Sequence, residues 1–300
     1  MTLLSSDPHE DRLIAGVSEA GIWASTDGGD SWKELGKGKD SAPINDRPSA
    51  VAYDPDDSRT FWVSESYGAG AFVTHDSGLI FSRLGTVERC DNINVDFSDP
   101  QRKTLLAGQH ESAVILLSTD SGKNWDDISG NVGEGVNPCG FPLLIDGRTF
   151  LLTCSPFGGG KGGIYRSEDA GESWSQVNEG SADQTALLAS DGSIYWSAAL
   201  NGGLLASTDS GLTWKQVLND ATSVHPIELP DGSIATFNKD YILVSKDLKK
   251  WQPASAKLPF APAGLVYSSS RRAFYIWHLS SDPMPPADAI ARFDFDYEKN

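Results

Sequence analysis

The chain is 300 residues long, enough for one large core, and its 30 glycines and 16 prolines mark it as turn-rich and all-β. A net charge of −17 repels the phosphate backbone and anionic lipid, which argues against nucleic acid and membrane surfaces as partners. No run of about eighteen apolar residues occurs, so membrane insertion is not expected either.

The first segment, MTLLSSDPHEDRL, has no basic start followed by an apolar core. This fits a cytoplasmic chain, or a secreted one whose leader has been removed. From there an apolar strand, a turn and a second apolar strand recur seven times: TLLSSDPHEDRLIAGV, AVAYDPDDSRTFWVS, NVDFSDPQRKTLLAG, PLLIDGRTFLLTC, ALLASDGSIYWSA, IELPDGSIATFN and GLVYSSSRRAFYIWHL. The first six are each followed by a second hairpin carrying one short motif. It reads STDGGDSW from Ser25, THDSGLIF from Thr74, STDSGKNW from Ser118, SEDAGESW from Ser167 and STDSGLTW from Ser207. A shortened copy, SKDLKKW, starts at Ser245, and successive copies lie 38 to 49 residues apart.

The motif, [Ser/Thr]-x-Asp-x-Gly-x-x-[Trp/Phe], predicts a turn. The Asp carboxylate accepts N–H groups of its own turn, the Gly supplies a positive φ, and the aromatic ring packs on a neighbour. Asp27, Asp120, Asp169 and Asp209 are therefore structural carboxylates. After the seventh strand pair only AIARFDFDY remains to form strand. The pattern predicts one domain over 1–300, a seven-bladed β-propeller of four-stranded antiparallel blades with a short last blade.

Three cysteines, Cys90, Cys139 and Cys154, fit no zinc spacing. A two-residue turn at Asp146-Gly147 sets Ile145 opposite Arg148 and Cys139 opposite Cys154, a hydrogen-bonded pair of the wider type. A cross-strand disulfide and a free buried pair both fit this register.

The repeated motif resembles that of the Asp-box (BNR-repeat) β-propeller superfamily, and with the degenerate copies the resemblance covers nearly the whole chain. That superfamily includes sialidases, xyloglucan-cleaving glycosidases, photosystem II assembly factors and sortilin-type receptors, so it implies a fold more sharply than a function. It implies that the motif lies in the turn between strands C and D. Ligands then bind on the opposite face, where the B–C loops and the connections between blades meet the central channel. The Arg-Ile-Pro segment of sialidases is absent, and of the three arginines that family needs only Arg47 and Arg89 map to this face; the glycine-rich N-terminal segment of the xyloglucan-cleaving relatives is also missing.

The stretch SPFGGGKGG (155–163) falls on that face as a B–C loop. In a nucleotide-binding loop the Lys is followed by Ser or Thr and a helix; Lys161 is followed by Gly162 and a strand, so no nucleotide or other cofactor is expected. The loop instead presents Lys161 at the rim, with Tyr165 at its base. His110, His225 and His278 map to the same face, together with Arg47, Arg89, Asp46, Asp91, Glu65, Glu111, Tyr67, Asn92 and Asn94. His110, His225 and His278 are candidates for acid–base roles. A metal bound by all three has no close-spaced motif behind it. Arg47 and Arg89 near His and Tyr would bind a uronate carboxylate and allow proton abstraction. Asp46 and Asp91 would instead form a glycoside-cleaving carboxylate pair. Tyr67, Lys161, Glu65 and Asn92 are candidate contacts to the same sugar. The expected partner is an oligosaccharide or polysaccharide, acted on by a glycosidase or a lyase. The alternative is a non-catalytic protein-binding scaffold. A lectin with equivalent sites would repeat its loop residues, and these loops differ from blade to blade.

Overall fold

The computed structural model describes the chain except residues 113, 134, 137–138, 157–159, 200–201, 222–224, 281–283, 286 and 300. Seven antiparallel sheets follow one another, six of four strands and the last of three, each pairing its strands in chain order. They span 3–34, 48–83, 90–127, 139–178, 182–218, 227–253 and 264–294, and the chain is a seven-bladed β-propeller. No described helix is long and apolar enough to cross a membrane.

Seven hydrophobic clusters hold the blades, and each is the interface between two neighbours. Period-two geometry explains this. In Leu105–Gln109, Leu106 points to blade four while Leu105 and Ala107 point to blade two. A strand buried on both faces reads as a continuous apolar run, which is why the second strand of every pair was legible. Met1, Leu4 and Leu13 pack with Tyr275, Trp277 and Ala289, closing the ring between blades one and seven.

The Asp turns are built as the motif requires. In the fifth copy the Ser207 hydroxyl donates to Asp209 Oδ1 at 2.8 Å and accepts the Gly211 N–H at 2.9 Å. Asp209 Oδ1 also accepts the Thr213 N–H, and Oδ2 the Thr213 hydroxyl. These bonds, the Thr213 hydroxyl first, hold the Asp209 carboxyl down to about 2. Trp32, Trp125, Trp174 and Trp214 each donate Nε1–H to the carbonyl of their own turn's glycine. Positive φ is needed at two positions, not one: the residue before the glycine adopts it too, at Gly28, Ser77, Ser121, Ala170 and Ser210.

The hairpin of blade four corrects one expectation. Ile145 donates its N–H to Thr149, so the loop has three residues rather than two. A bulge between Gly140 and Leu143 then restores the pairing of Cys139 with Cys154. The two cysteines are disulfide-bonded with Cα atoms 3.9 Å apart, the closely spaced type of pair rather than the wide one. Cys90 is free and buried, and burial pushes its thiol up to about 12.

Candidate functional site

In an antiparallel meander the B–C loops and the connections between blades emerge on one face and the Asp turns on the other. On the loop face, Tyr67, Asp91 and His110 meet between blades two and three. Tyr67 follows strand B of blade two (Phe61–Glu65), and His110 follows strand B of blade three (Leu105–Gln109). Asp91 lies near the start of strand A of blade three (Cys90–Val95). Three backbone bonds stitch the loops together. Ser66 N–H donates to Arg47 O at 3.0 Å, Arg89 N–H to Gly68 O at 3.4 Å, and His110 N–H to Arg89 O at 2.5 Å. Gly70, at φ 86°, lies so close to the next connection that a Cβ there would be 2.3 Å from the Val87 carbonyl oxygen. Arg89 and Glu111 both hold positive φ, at 52° and 50°. Left-handed backbone at non-glycine residues persists only where the surroundings enforce it.

Asp91 Oδ1 lies 2.7 Å from His110 Nδ1 and also accepts the Ser66 hydroxyl at 2.8 Å. On the other side of the ring, His110 Nε2 lies 2.9 Å from the Tyr67 hydroxyl. The network assigns the tautomer: Nδ1–H donates to the carboxylate, and Nε2 accepts from Tyr67. The Tyr67 and His110 rings meet edge to face at 4.6 Å. Arg89 and Arg47 place their guanidinium carbons 5.5 and 6.0 Å from the Tyr67 ring centre. Arg89 also pairs with Glu111 at 3.2 Å, and Glu111 lies 3.6 Å from His110 Nε2, whereas Arg47 makes no ion pair among the described residues. The His110 and Asp91 side chains are 21% and 19% exposed, sheltered but reachable. The arrangement can take a proton from a bound molecule at Tyr67, store one on His110, and balance the charge with Asp91.

The other expected residues lie elsewhere. Glu65 is fully buried and accepts the Asp46 N–H at 2.8 Å. Burial raises its pKa, the Asp46 N–H opposes the rise and the Asp46 charge adds to it. Asn92, 1% exposed, donates to the Pro142 carbonyl at 2.9 Å and ties blade three to blade four. Both are enclosed by blade packing rather than presented on the loop face. Asp91 Oδ1 is taken up by His110 and Ser66, while Asp46 lies against Gly68, where an added Cβ would be 3.0 Å from Asp46 Oδ2.

Nor do the three histidines converge. His225 bonds the Thr185 carbonyl at 2.7 Å through Nδ1, and burial lowers its pKa. It lines a channel cavity of about 700 Å³ with Gln184, Glu228 and Trp277, and neither His110 nor His278 is among the lining residues. His278 bonds the Leu279 carbonyl at 2.9 Å and packs its ring on Phe260. Among the described residues no three His, Cys, Asp or Glu side chains converge on a metal position. Lys161 is exposed and its N–H donates to Gly135 O at 2.8 Å; residues 157–159 of that loop lie outside the described residues. Tyr165, expected at the base of that loop, is buried in the core between blades three and four. Sequence reasoning missed Ser66, whose only signal is its place beside Tyr67 in SESYGAG.

No family model matches the chain. Part of it is 23% identical over 211 residues to the xyloglucanase Xgh74A of Acetivibrio thermocellus, covering 57% of the chain and 25% of that protein. A second match, 23% identical over 184 residues, is to a probable oligoxyloglucan-reducing end-specific xyloglucanase of Neosartorya fischeri, covering 49% of the chain and 22% of that protein. The chain thus spans about a quarter of the length of these curated relatives. Among solved structures, YCF48 bound to D1 peptide superposes with a TM-score of 0.61 at 15% identity, covering 98% of this chain and 92% of that one. PorZ, a surface component of the Porphyromonas gingivalis type-IX secretion system, gives 0.63 at 15% identity over 97% of this chain and 46% of its own. An ancestral GH74 enzyme gives 0.55 at 16% identity over 93% and 36%. At such identities these likenesses speak for the fold alone. Blade count, turn geometry and structural neighbours make the chain a seven-bladed β-propeller consistent with the Asp-box type of superfamily, with no single member of it singled out.

Proposed function

We propose that the chain is a glycan-active enzyme in which Asp91, His110 and Tyr67 move protons while Arg47 and Arg89 hold the substrate. One observation carries the reading: His110 is bonded through both ring nitrogens, to Asp91 at 2.7 Å and to Tyr67 at 2.9 Å. A histidine oriented by a carboxylate and facing a hydroxyl is the general arrangement for activating that hydroxyl. The sequence likeness to xyloglucanases supports a polysaccharide as the substrate class. The test is release of new reducing ends from a panel of neutral and acidic polysaccharides. Tyr67→Phe and His110→Ala are each expected to slow turnover by about 10²–10⁴-fold. Turnover unchanged in both variants would remove the assignment.

A second reading is a protein-binding scaffold. It is favoured by the match to YCF48 bound to D1 peptide, which covers nearly all of both chains. Leu279 and Met284, 57% and 53% exposed in the connection that follows strand B of blade seven, offer apolar contact there. On that reading Leu279→Asp would weaken capture of a peptide partner, and no polysaccharide would be cleaved.

A further inference from the structure

We infer that the substrate is a uronate-containing polysaccharide and that Tyr67 cleaves it by β-elimination. This rests on the reading of Asp91, His110 and Tyr67 as a proton-transfer centre.

Charge accounting points to an anionic sugar. The chain carries 41 acidic residues against 24 Lys and Arg, so a cation normally finds a carboxylate nearby. Among the described residues only Arg47 and Arg148 are arginines outside an ion pair. Arg148 is exposed at a hairpin tip on the opposite face. Arg47 is half-buried and packed over Tyr67, and Arg89 approaches the same ring. A guanidinium held there without an ion pair among the described residues is a carboxylate receptor, since its planar fork matches a carboxylate in two-point geometry.

The chemistry available beside it is proton abstraction. Hydrolysis of a glycosidic bond uses two carboxyl groups flanking the bond, about 5–9.5 Å apart. Here Asp91 Oδ1 is bonded to His110 and Ser66, Asp46 lies against Gly68, Glu65 is fully buried, and Glu111 lies 3.2 Å from Arg89 and 3.6 Å from His110 Nε2. The group held on a proton path is a phenol hydrogen-bonded to an oriented imidazole. A uronate has an acidic C–H at C5, next to its carboxylate, and Arg47 would neutralise the charge that builds up when that proton leaves.

The steps balance without oxidant or reductant. Tyr67 gives its hydroxyl proton to His110 Nε2, and Asp91 balances the imidazolium. The phenolate takes the C5 proton. The C5–H electron pair becomes the C4–C5 double bond, and the C4–O4 bond breaks with its pair leaving on O4. Tyr67 returns the proton to O4 and regains its own from His110.

The test uses the whole chain with polygalacturonate, alginate and glucuronan, their carboxyl-reduced forms, and neutral xyloglucan. Reducing ends and the ultraviolet absorbance of the conjugated double bond are followed together. The expected result is that both rise in step on at least one uronate polymer and on no carboxyl-reduced form. Tyr67→Phe should lower kcat by about 10²–10⁴-fold with KM little changed. Arg47→Gln should raise KM by about 10–100-fold, the worth of a charged hydrogen bond. Thermal melts identify any variant that has merely lost its fold. Reducing ends without absorbance, or cleavage of neutral xyloglucan, would overturn elimination and leave the enzyme reading standing. No cleavage of any polymer would overturn both. An unchanged KM in a folded Arg47→Gln would overturn the carboxylate receptor.

Discussion

Replacing Ser207 by alanine tests whether the Asp turns hold the blades. Ser207 is 2% exposed and its hydroxyl serves two partners, Asp209 Oδ1 at 2.8 Å and the Gly211 N–H at 2.9 Å. Alanine removes one hydrogen bond worth about 0.5–1.5 kcal/mol net and orphans a buried N–H at about 1–3 kcal/mol. The expected cost is about 2 kcal/mol. For 300 residues, an unfolding entropy near 2.1 cal/mol/K per residue gives about 0.6 kcal/mol per degree, so Tm should fall by about 3 °C. Calorimetry reads the shift, and urea unfolding with an unchanged slope confirms that the native state is the one affected. Ser245 is the internal control. In the shortened sixth copy its hydroxyl is 3.4 Å from Asp247, and only the Leu248 N–H bonds it well, at 2.9 Å. Ser245→Ala should cost about half as much. Equal costs at the two positions, or no loss at Ser207, would refute the claim that the complete turn contributes more than the degenerate one.

The same turns set an acid limit. Asp120, Asp169 and Asp209 are held to about 2, by Asn124, Ser173 and Thr213 first, and Asp27 lies lower still. A folded-state pKa below the ordinary 3.8 contributes stability above that value. The contribution is lost as pH falls toward 2, so Tm should drop across pH 4 to 2; a flat profile there would contradict the assignment. Gly70→Ala tests the stitched loops: its Cβ would meet the Val87 carbonyl oxygen at 2.3 Å at a φ of 86°. The change should displace Tyr67 and cost about 10²-fold in turnover, the scale of a 1 Å misplacement. Full turnover in Gly70→Ala would show that the loop's position is immaterial.

Almost the whole fold was legible, because one motif recurs and both faces of each middle strand are apolar. Side chains in Leu105–Gln109 alternate between two blade interfaces, and that alternation leaves no polar face to confuse the reading. The register in blade four was not legible. A three-residue loop and a later bulge offset one another, so Cys139 and Cys154 still pair. Nothing in Ser77, Ser121 or Ala170 announces the left-handed conformation that each adopts. At the site, loops of adjacent blades touch while those of distant blades do not. That brings together Arg47, Tyr67, Arg89, Asp91 and His110 and leaves His225 and His278 with partners of their own. Glu65 and Asn92 belong to strands rather than loops, as the last residue of Phe61–Glu65 and the third of Cys90–Val95, and blade packing buries them there.

The position of the cluster between two blades also explains its order. Asp91 is flanked in sequence by two buried residues, Cys90 and Asn92, whose surroundings belong to packed blade interfaces. Tyr67 is set by Gly68 and Gly70, which are fixed against Asp46 and the Val87 carbonyl. Val87 and Cys90 belong to one hydrophobic cluster, so the supports of the base and of its orienting carboxylate rest on the same packed core. A reaction that moves one proton along a short chain of hydrogen bonds depends on these separations being held, and side chains at strand ends are held more closely than side chains on free loops. The face with the Asp turns spends its residues on closing the blades and therefore repeats. The loop face is free of that duty, and its residues differ from blade to blade. The site lies where two such loops are tied to each other and, through Asp91, to the strand beneath them.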